Sequence, residues 1–176
     1  LSNIDAVIFD KTGTITSGFL QVTKVTISEK DLKAAAPMII GLEKLNDHPL
    51  AGALVKYLED LSFSGVDLTD TDYIPGQGMV GTYAGIQYLV GNLTLLKNYN
   101  VRAKAIREIG THIYVAAGTN VLGAFVLQDE IKESTTATIK ALNDRGIKTI
   151  LLTGDNHDNA MHLAAIVGIS EVHSDV

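Results

Sequence analysis

The chain has no cysteine and no tryptophan, and only 3 of its 176 residues are proline. Without cysteine there is no disulfide scaffold and no thiolate-ligated metal site within these residues, and the absence agrees with a reducing compartment. No apolar run approaches the ~18–20 residues needed to span a bilayer. No signal peptide is expected either, because the chain opens almost at once on a β-favouring run. Positive charge is also scarce. Lys and Arg number 14 against 20 Asp and Glu, a net charge of −6, so the broad basic footprint of a nucleic-acid binder is missing. A nucleotide polyphosphate stays open as a ligand, since it needs local amides, a lysine and Mg2+ rather than a basic protein. A composition 46% hydrophobic and 19% charged excludes disorder, and the length suits one ordinary domain or two small ones.

The most informative stretch is residues 4–16, IDAVIFDKTGTIT. Residues 4–9 are nearly continuous apolar, which predicts a strand buried on both faces of a parallel sheet. Asp10 ends it, and Lys11, Thr12, Gly13, Thr14 and Thr16 follow in a Thr/Gly loop over 11–18. A carboxylate at the carboxyl end of a buried strand, beside a lysine and small flexible residues, is placed like a phosphate-handling nucleophile. The plainer reading is a surface Asp in a polar turn.

Residues 19–27 alternate and read as a half-exposed strand. Ser28 is a candidate N-cap for a helix over 29–45 that Pro37 kinks or splits. Asn46-Asp47-His48-Pro49 is a break, and Pro49 suits the first turn of a second helix carrying Leu50, Leu54, Leu58 and Leu61. Short alternating segments at 71–74, 79–83 and 86–90 predict antiparallel strands. Helices are expected over 92–98, with Asn92 as N-cap, and over 101–109. Residues 112–117 and 121–127 form a hairpin about Gly118-Thr119-Asn120. The pattern then becomes helix 131–145, strand 147–152, Thr153-Gly154-Asp155-Asn156, helix 157–167 stopped by Gly168, and a strand from Ile169 to His173. An α/β unit thus opens, is interrupted by an α+β insert, and resumes. Hinges are expected near 18–24 and 121–127.

In an open parallel sheet, ligands gather at the carboxyl ends of the strands, where Asp10 and Thr153-Gly154-Asp155 both fall. Adjacent strands would bring these loops face to face. Thr12, Gly13, Thr14, Thr153 and Gly154 can offer amides and hydroxyls to a phosphoryl group, and the following helix adds its N-terminal dipole. Asp10 as nucleophile would form an acyl phosphate by in-line attack on a γ-phosphate. Two anions must then approach one another, which calls for Mg2+; Asp10 and Thr12 are its candidate ligands. Asp155 alone also reads as a helix N-cap.

The string Asp10-Lys11-Thr12-Gly13-Thr14-Ile15-Thr16 resembles the phosphorylation motif of the P-type ATPases, ion pumps with an aspartyl-phosphate intermediate. Thr153-Gly154-Asp155-Asn156 resembles their second phosphate-domain motif, and Asp129 with Lys132 their Asp-x-x-Lys segment. Within the wider haloacid-dehalogenase-like fold, phosphatases usually carry an aspartate two residues after the nucleophile. Thr12 stands there and cannot act as that acid/base, which implies a phosphoenzyme whose hydrolysis is held back.

The insert narrows the resemblance. Glu43, His48-Pro49, Gly76-Gln77-Gly78 and Gly91-Asn92 resemble the nucleotide-domain signature of the heavy-metal (CPx-type) pumps, in which the equivalent residues surround the adenosine of ATP. Taken singly they stay ambiguous: a His before Pro is most often a turn residue, and Gly-Asn a hairpin end or N-cap. Met79, after the Gly-x-Gly, is expected to pack against the base. His112, His157, His162 and His173 read as surface or packing residues. Gly76-x-Gly78-x-x-Gly81 does not lie between a strand and a helix of a βαβ unit, so a dinucleotide fingerprint is not supported.

The resemblance therefore implies an incomplete haloacid-dehalogenase-like Rossmannoid phosphorylation domain (1–20 and 125–176) interrupted by an α+β nucleotide-binding domain (21–124) with an antiparallel sheet. It implies ATP and Mg2+ as cofactors, with Asp10, Lys11, Thr12, Thr153, Gly154 and Asp155 as catalytic residues and Glu43, His48, Gly76, Gly78, Gly91 and Asn92 around the nucleotide. It also implies the transmembrane and actuator domains of an intact copper- or zinc-class pump as partners, and a place on the cytoplasmic face of the membrane without direct insertion. The family's further lysine and its Gly-Asp-Gly-x-Asn-Asp loop are not among these residues. Alternatives are a non-catalytic nucleotide-binding fragment and a soluble phosphatase of the same fold.

Overall fold

The computed structural model describes residues 4–174. The chain divides into two compact units: one comprises the segments up to Phe19 and from Asp129 onward, the other Leu20–Gln128.

The first unit is built on a three-stranded sheet in the order β1-β8-β9, where β1 is Ala6–Asp10, β8 Lys148–Leu152 and β9 Glu171–His173. All three strands are parallel. β1 and β8 pair from Ala6↔Lys148 to Asp10↔Leu152, and β8 and β9 from Ile150↔Glu171 to Leu152↔His173. Two helices, α4 (Glu133–Asp144) and α5 (His157–Val167), cover the sheet. Their apolar residues Ile139, Ala160, Ala164 and Val167 pack with Ile15 and Leu151, and Phe9 and Val172 lean on the cluster. Asn156 caps α5, its side chain accepting from the Asn159 amide at 3.0 Å.

One expectation for this sheet does not hold. β1 is not buried on both faces, since Ile8 is 63% exposed while Phe9 packs inward. The side chains of α4 and α5 join a single cluster with alternate strand residues, and no described element covers the opposite face. A continuous apolar run predicts a strand with two covered faces, but it cannot say which of the covering elements are present.

The second unit carries a six-stranded sheet in the order β2-β7-β6-β5-β4-β3. Its strands are β2 (Thr16–Val25), β3 (Thr69–Ile74), β4 (Gly78–Tyr83), β5 (Ile86–Gly91), β6 (Thr111–Ala117) and β7 (Asn120–Ile131). The pairings from β3 through β7 are antiparallel. Helices cover both faces. Against one face lie α1 (Glu29–Glu43) and α2 (Pro49–Asp60), packed on Met79, Val90, Ile113, Val115 and Phe125. Against the other lies α3 (Leu93–Asn98), packed on Val80, Leu89, Tyr114 and Ala116. The residues divide between the two clusters by the period-2 alternation of a strand. The hairpin from β6 to β7 closes over a two-residue loop, Gly118-Thr119, with Ala117 opposite Asn120; it is one residue tighter than predicted.

Ser28 caps α1 as expected, its hydroxyl accepting from the Asp31 amide at 3.1 Å. Pro37 does not split the helix, which runs unbroken across it. The Pro37 carbonyl instead receives the Val66 amide at 3.1 Å, and the flanking Ala36, Met38, Ile39 and Ile40 are buried. Tertiary burial thus holds a helix through a position that an isolated peptide would break.

The predicted helix over 101–109 is absent. Its backbone groups are taken by distant partners. The Ile106 amide donates to the Tyr114 hydroxyl at 3.1 Å, the Ile109 carbonyl accepts from Gln128 Nε2 at 2.6 Å, and the Glu108 carbonyl contacts His112 Nε2 at 2.6 Å. A nine-residue helix is marginal by itself, and these contacts outcompete it.

Candidate functional site

Each unit places one group of predicted residues together. In the first, the parallel register sets Asp10 opposite Leu152, so the loop after β1 and the loop after β8 leave the sheet side by side. Lys11 Nζ spans them to Asp155 Oδ2 at 2.7 Å. Asp155 is therefore not the cap of α5; Asn156 takes that role, and Asp155 is left to hold the lysine. Thr153 is buried, and its hydroxyl accepts from the Asp155 amide at 3.1 Å, which shapes the Thr153-Gly154-Asp155 turn.

The loop after β1, Lys11–Ile15, is a tight irregular turn in which Thr12 is extended and Gly13 left-handed. It is braced from behind by the segment that ends β7. Thr16, 1% exposed, donates its hydroxyl to Asp129 Oδ2 at 2.8 Å and lies 3.1 Å from the Lys11 carbonyl. Lys132 Nζ donates to the Gly13 carbonyl, and Thr135 Oγ1 donates to the Ile15 carbonyl at 2.9 Å. Apart from the Lys11–Asp155 pair, the side-chain braces of this loop thus come from Asp129, Lys132 and Thr135. Asp10 stays exposed, and its carboxylate makes no hydrogen bond or ion pair with a described residue. A carboxylate held at the rim, unpaired, beside a lysine and the exposed Thr12, Gly13 and Gly154, is sterically free to attack an incoming electrophile.

In the second unit, a cavity of about 200 Å³ is lined by Glu43, His48, Gly76, Gly78, Gly91 and Asn92, all six residues that the sequence pointed to. Asn46, Tyr73, Gln77, Thr111 and His112 also line it and were not foreseen there. The Ile74 carbonyl receives the Gln77 amide at 2.9 Å, closing a turn with Pro75 and Gly76 at its centre. Gly76, at φ +70, supplies the positive φ that a type II turn requires at that place. Gly78 is glycine for a different reason. A Cβ there would lie 2.2 Å from the Val90 carbonyl oxygen and 2.6 Å from Gly91 Cα, so β4 and β5 meet at Gly78↔Gly91 without room for a side chain. Asn92 ties this corner together. Its Nδ2 donates to the Gly76 carbonyl at 2.8 Å, its amide to the Gln77 carbonyl at 2.8 Å, and its Oδ1 accepts from the Leu95 amide at 3.0 Å as the cap of α3.

The opposite wall comes from the junction of α1 and α2. Glu43, 4% exposed, is the last residue of α1, and burial pushes its carboxyl up to about 7; the hydrogen bond from Asn46 opposes that shift. Asn46 Nδ2 donates to Glu43 Oε2 at 3.1 Å, and Asn46 Oδ1 accepts from the His48 amide at 3.0 Å. His48 Nδ1 accepts from the Leu50 amide at 3.2 Å and so caps α2, leaving Nε2 for a ligand. The imidazole is held by its own helix, which suits it to a fixed contact.

Two placements differ from expectation. Met79 does not line the cavity; at 2% exposure it is buried in the α1–α2 cluster, on the same sheet face as Val90 and Ile113, which do line it. His112 lines the cavity, whereas its sequence position suggested only packing. Its approach depends on the β5–β6–β7 pairing, for which sequence spacing carries no signal. No group of three or more His, Asp or Glu able to hold a metal ion occurs among the described residues.

Residues 4–176 match the haloacid dehalogenase-like hydrolase family, and the chain belongs to it. Within it, the similarity runs to heavy-metal pumps over the whole chain. A copper-exporting P-type ATPase of Staphylococcus saprophyticus is 35% identical over 98% of this chain and 22% of its own length. A probable cadmium-transporting ATPase of Staphylococcus aureus is 35% identical over 100% of this chain and 26% of its own. Among solved structures, a zinc-transporting PIB-type ATPase in its E2.Pi state matches with a TM-score of 0.79 at 26% identity, covering 98% of this chain and 29% of that one. The catalytic domain of the CPx-ATPase CopB-B, studied on nucleotide binding, gives a TM-score of 0.77 at 26% identity over 98% of this chain and 63% of that one. The chain thus spans about a quarter of the length of the curated relatives named here.

Proposed function

We propose that this chain is the ATP-binding and aspartyl-phosphorylation region of a heavy-metal P-type ATPase. On this reading, Leu20–Gln128 holds the adenosine and the unit containing Asp10 accepts the γ-phosphate. The observation that carries the reading is the convergence of Glu43, His48, Gly76, Gly78, Gly91 and Asn92, scattered over fifty residues of sequence, on one cavity. The buried Glu43 carboxylate suits the exocyclic amine of adenine, His48 Nε2 remains available to the ligand, and the corner at Gly76 and Gly78 lets a flat ring approach the backbone.

In the transfer step, an Asp10 carboxylate oxygen attacks the γ-phosphorus in line. The bond from that phosphorus to the β–γ bridging oxygen breaks, ADP departs, and Asp10 carries an acyl phosphate. Lys11 supplies positive charge at the loop, held there by Asp155. Thr12, Gly13, Thr153 and Gly154 offer hydroxyls and amides to the phosphoryl oxygens. Thr12 cannot serve as the acid/base that would hydrolyse the product, so the phosphoenzyme persists. A hydrated Mg2+ suits the donors present: the unpaired Asp10 carboxylate and the exposed Thr12 offer hard oxygens, and Mg2+ commonly keeps several waters beside phosphate oxygens. When bound, it would supply charge neutralisation between carboxylate and phosphate.

The relatives support copper, cadmium or zinc as the cargo class of the intact pump, and on this reading the chain lies on the cytoplasmic face of a membrane. No described helix is long and apolar enough to cross one. Thr12 weighs against a soluble phosphatase. The test is to measure ATP binding and acid-stable, hydroxylamine-labile labelling from γ-labelled ATP, both in this chain and in the pump that contains it. Labelling of the pump that Asp10→Asn abolishes without loss of ATP binding supports the reading. Nucleotide binding with no such label in either protein would leave a non-catalytic nucleotide-binding region.

A further inference from the structure

We propose that Tyr73 supplies a stacking face for the bound base and sets a preference for purine over pyrimidine nucleotides. The inference rests on reading the Glu43–Gly78 cavity as a nucleotide site and adds to it a residue that no motif marks. Tyr73 ends an exposed stretch of β3, an edge strand of its sheet, just before the Ile74–Gln77 turn. It is 47% exposed, and its hydroxyl makes no hydrogen bond to a described residue. A half-open aromatic on an edge strand contributes little to the core, so its face is available for burial on binding.

Its position is specific. Tyr73 lines the cavity that holds Glu43 and Gly78, and it also lines an adjoining cavity of about 270 Å³ with Asn46, Asp47 and His48. Asn46, His48 and Tyr73 are therefore shared walls of two neighbouring hollows. The first, at about 200 Å³, is smaller than the roughly 300–1,000 Å³ that whole small-molecule ligands occupy. It suits the base alone, with the sugar continuing toward the second. A base seated so that its edge meets Glu43 lies beside the only phenol ring among the described residues lining the cavity. Stacking on such a ring is insensitive to hydrogen-bond pattern but grows with ring area, which favours purines.

Binding of ATP, adenosine and CTP should be measured by calorimetry on the chain and on Tyr73→Leu, Tyr73→Phe and Tyr73→Trp. Leucine keeps apolar bulk without a π face. Tyr73→Leu is expected to weaken ATP and adenosine alike by roughly tenfold and CTP much less, while Phe and Trp retain affinity within about twofold. In the unsubstituted protein the adenine H2 and H8 resonances should move upfield on binding, and that shift should vanish in Tyr73→Leu. If Tyr73→Leu binds ATP as the parent does, while Glu43→Gln weakens it, the stacking role is overturned and the cavity reading survives. If the parent chain binds no adenine nucleotide, both are overturned.

Discussion

Lys11 Nζ and Asp155 Oδ2 lie 2.7 Å apart, though 144 residues separate them in the chain. The contact is possible because β1 and β8 are parallel and in register, so that the turns following Asp10 and Leu152 emerge together. The pair fixes a lysine beside an otherwise unpaired Asp10.

Removing that restraint should loosen the loop more than the fold. Both partners are partly exposed, so Asp155→Asn is expected to lower the stability of the first unit by no more than about 1 kcal/mol, and by less at high salt. All six tyrosines lie within Leu20–Gln128, so tyrosine emission does not report on this unit. Hydrogen exchange of the β8 amides is the suitable measurement. A loss of several kcal/mol would show that the pair does more than position Lys11.

Thr16→Val should cost more, although it is nearly isosteric. It removes the hydroxyl that reaches Asp129 Oδ2 at 2.8 Å, and Asp129 Oδ1 is already buried without a partner. A partly buried carboxylate then loses its hydrogen bond, with an expected penalty of about 1–3 kcal/mol. Exchange of the same β8 amides, compared with Thr14→Val at an exposed position, checks it.

Glu43 predicts a pH dependence with a definite sign. Its carboxyl titrates at about 7 when folded, against an ordinary value of 4.5. The folded state binds the extra proton between those two values, so this group's contribution falls as pH rises from about 4.5 to about 7 and is level above that. Glu43→Gln should remove this slope and leave the variant more stable than the parent at pH 8 by about 1–3 kcal/mol. Urea unfolding followed by tyrosine emission across pH 5 to 8.5 reads it directly. Equal slopes in parent and variant would contradict the burial of a titrating Glu43. ATP affinity should move the opposite way, because an amide oxygen accepts from the amine more weakly than a carboxylate does.

The two glycines of the cavity corner should respond differently to alanine. At Gly76 nothing lies within 4 Å of an added Cβ, so Gly76→Ala meets only the strain of φ +70, about 1–2 kcal/mol. At Gly78 the Cβ would sit 2.2 Å from a backbone oxygen, and β4 must part from β5. Gly78→Ala should therefore unfold or grossly destabilise the second unit. Urea midpoints from tyrosine emission separate the two, and similar midpoints would overturn the close-contact account.

Much of this was written in local chemistry. Asp10 after an apolar run, Ser28 three residues before Asp31, Asn92 before α3 and Gly168 after α5 act over a few residues, and each stands where spacing placed it. The six cavity residues were also legible, as short strings at recognisable separations. Tertiary structure decided the rest. It drew 101–109 out of a helix by giving its amides and carbonyls to Tyr114, Gln128 and His112. Burial carried α1 through Pro37, and packing beneath α1 and α2 took Met79 into the core. The register of β1 on β8 assigned Asp155 to Lys11 rather than to the helix it precedes. Sequence alone thus determined which residues are candidates for the site and where the helices are capped, because motif, cap and turn signals act within a few bonds of the chain. Which of them touch, which titrate abnormally and which stay free depended on strand register and packing, and those bring together residues that no local rule connects.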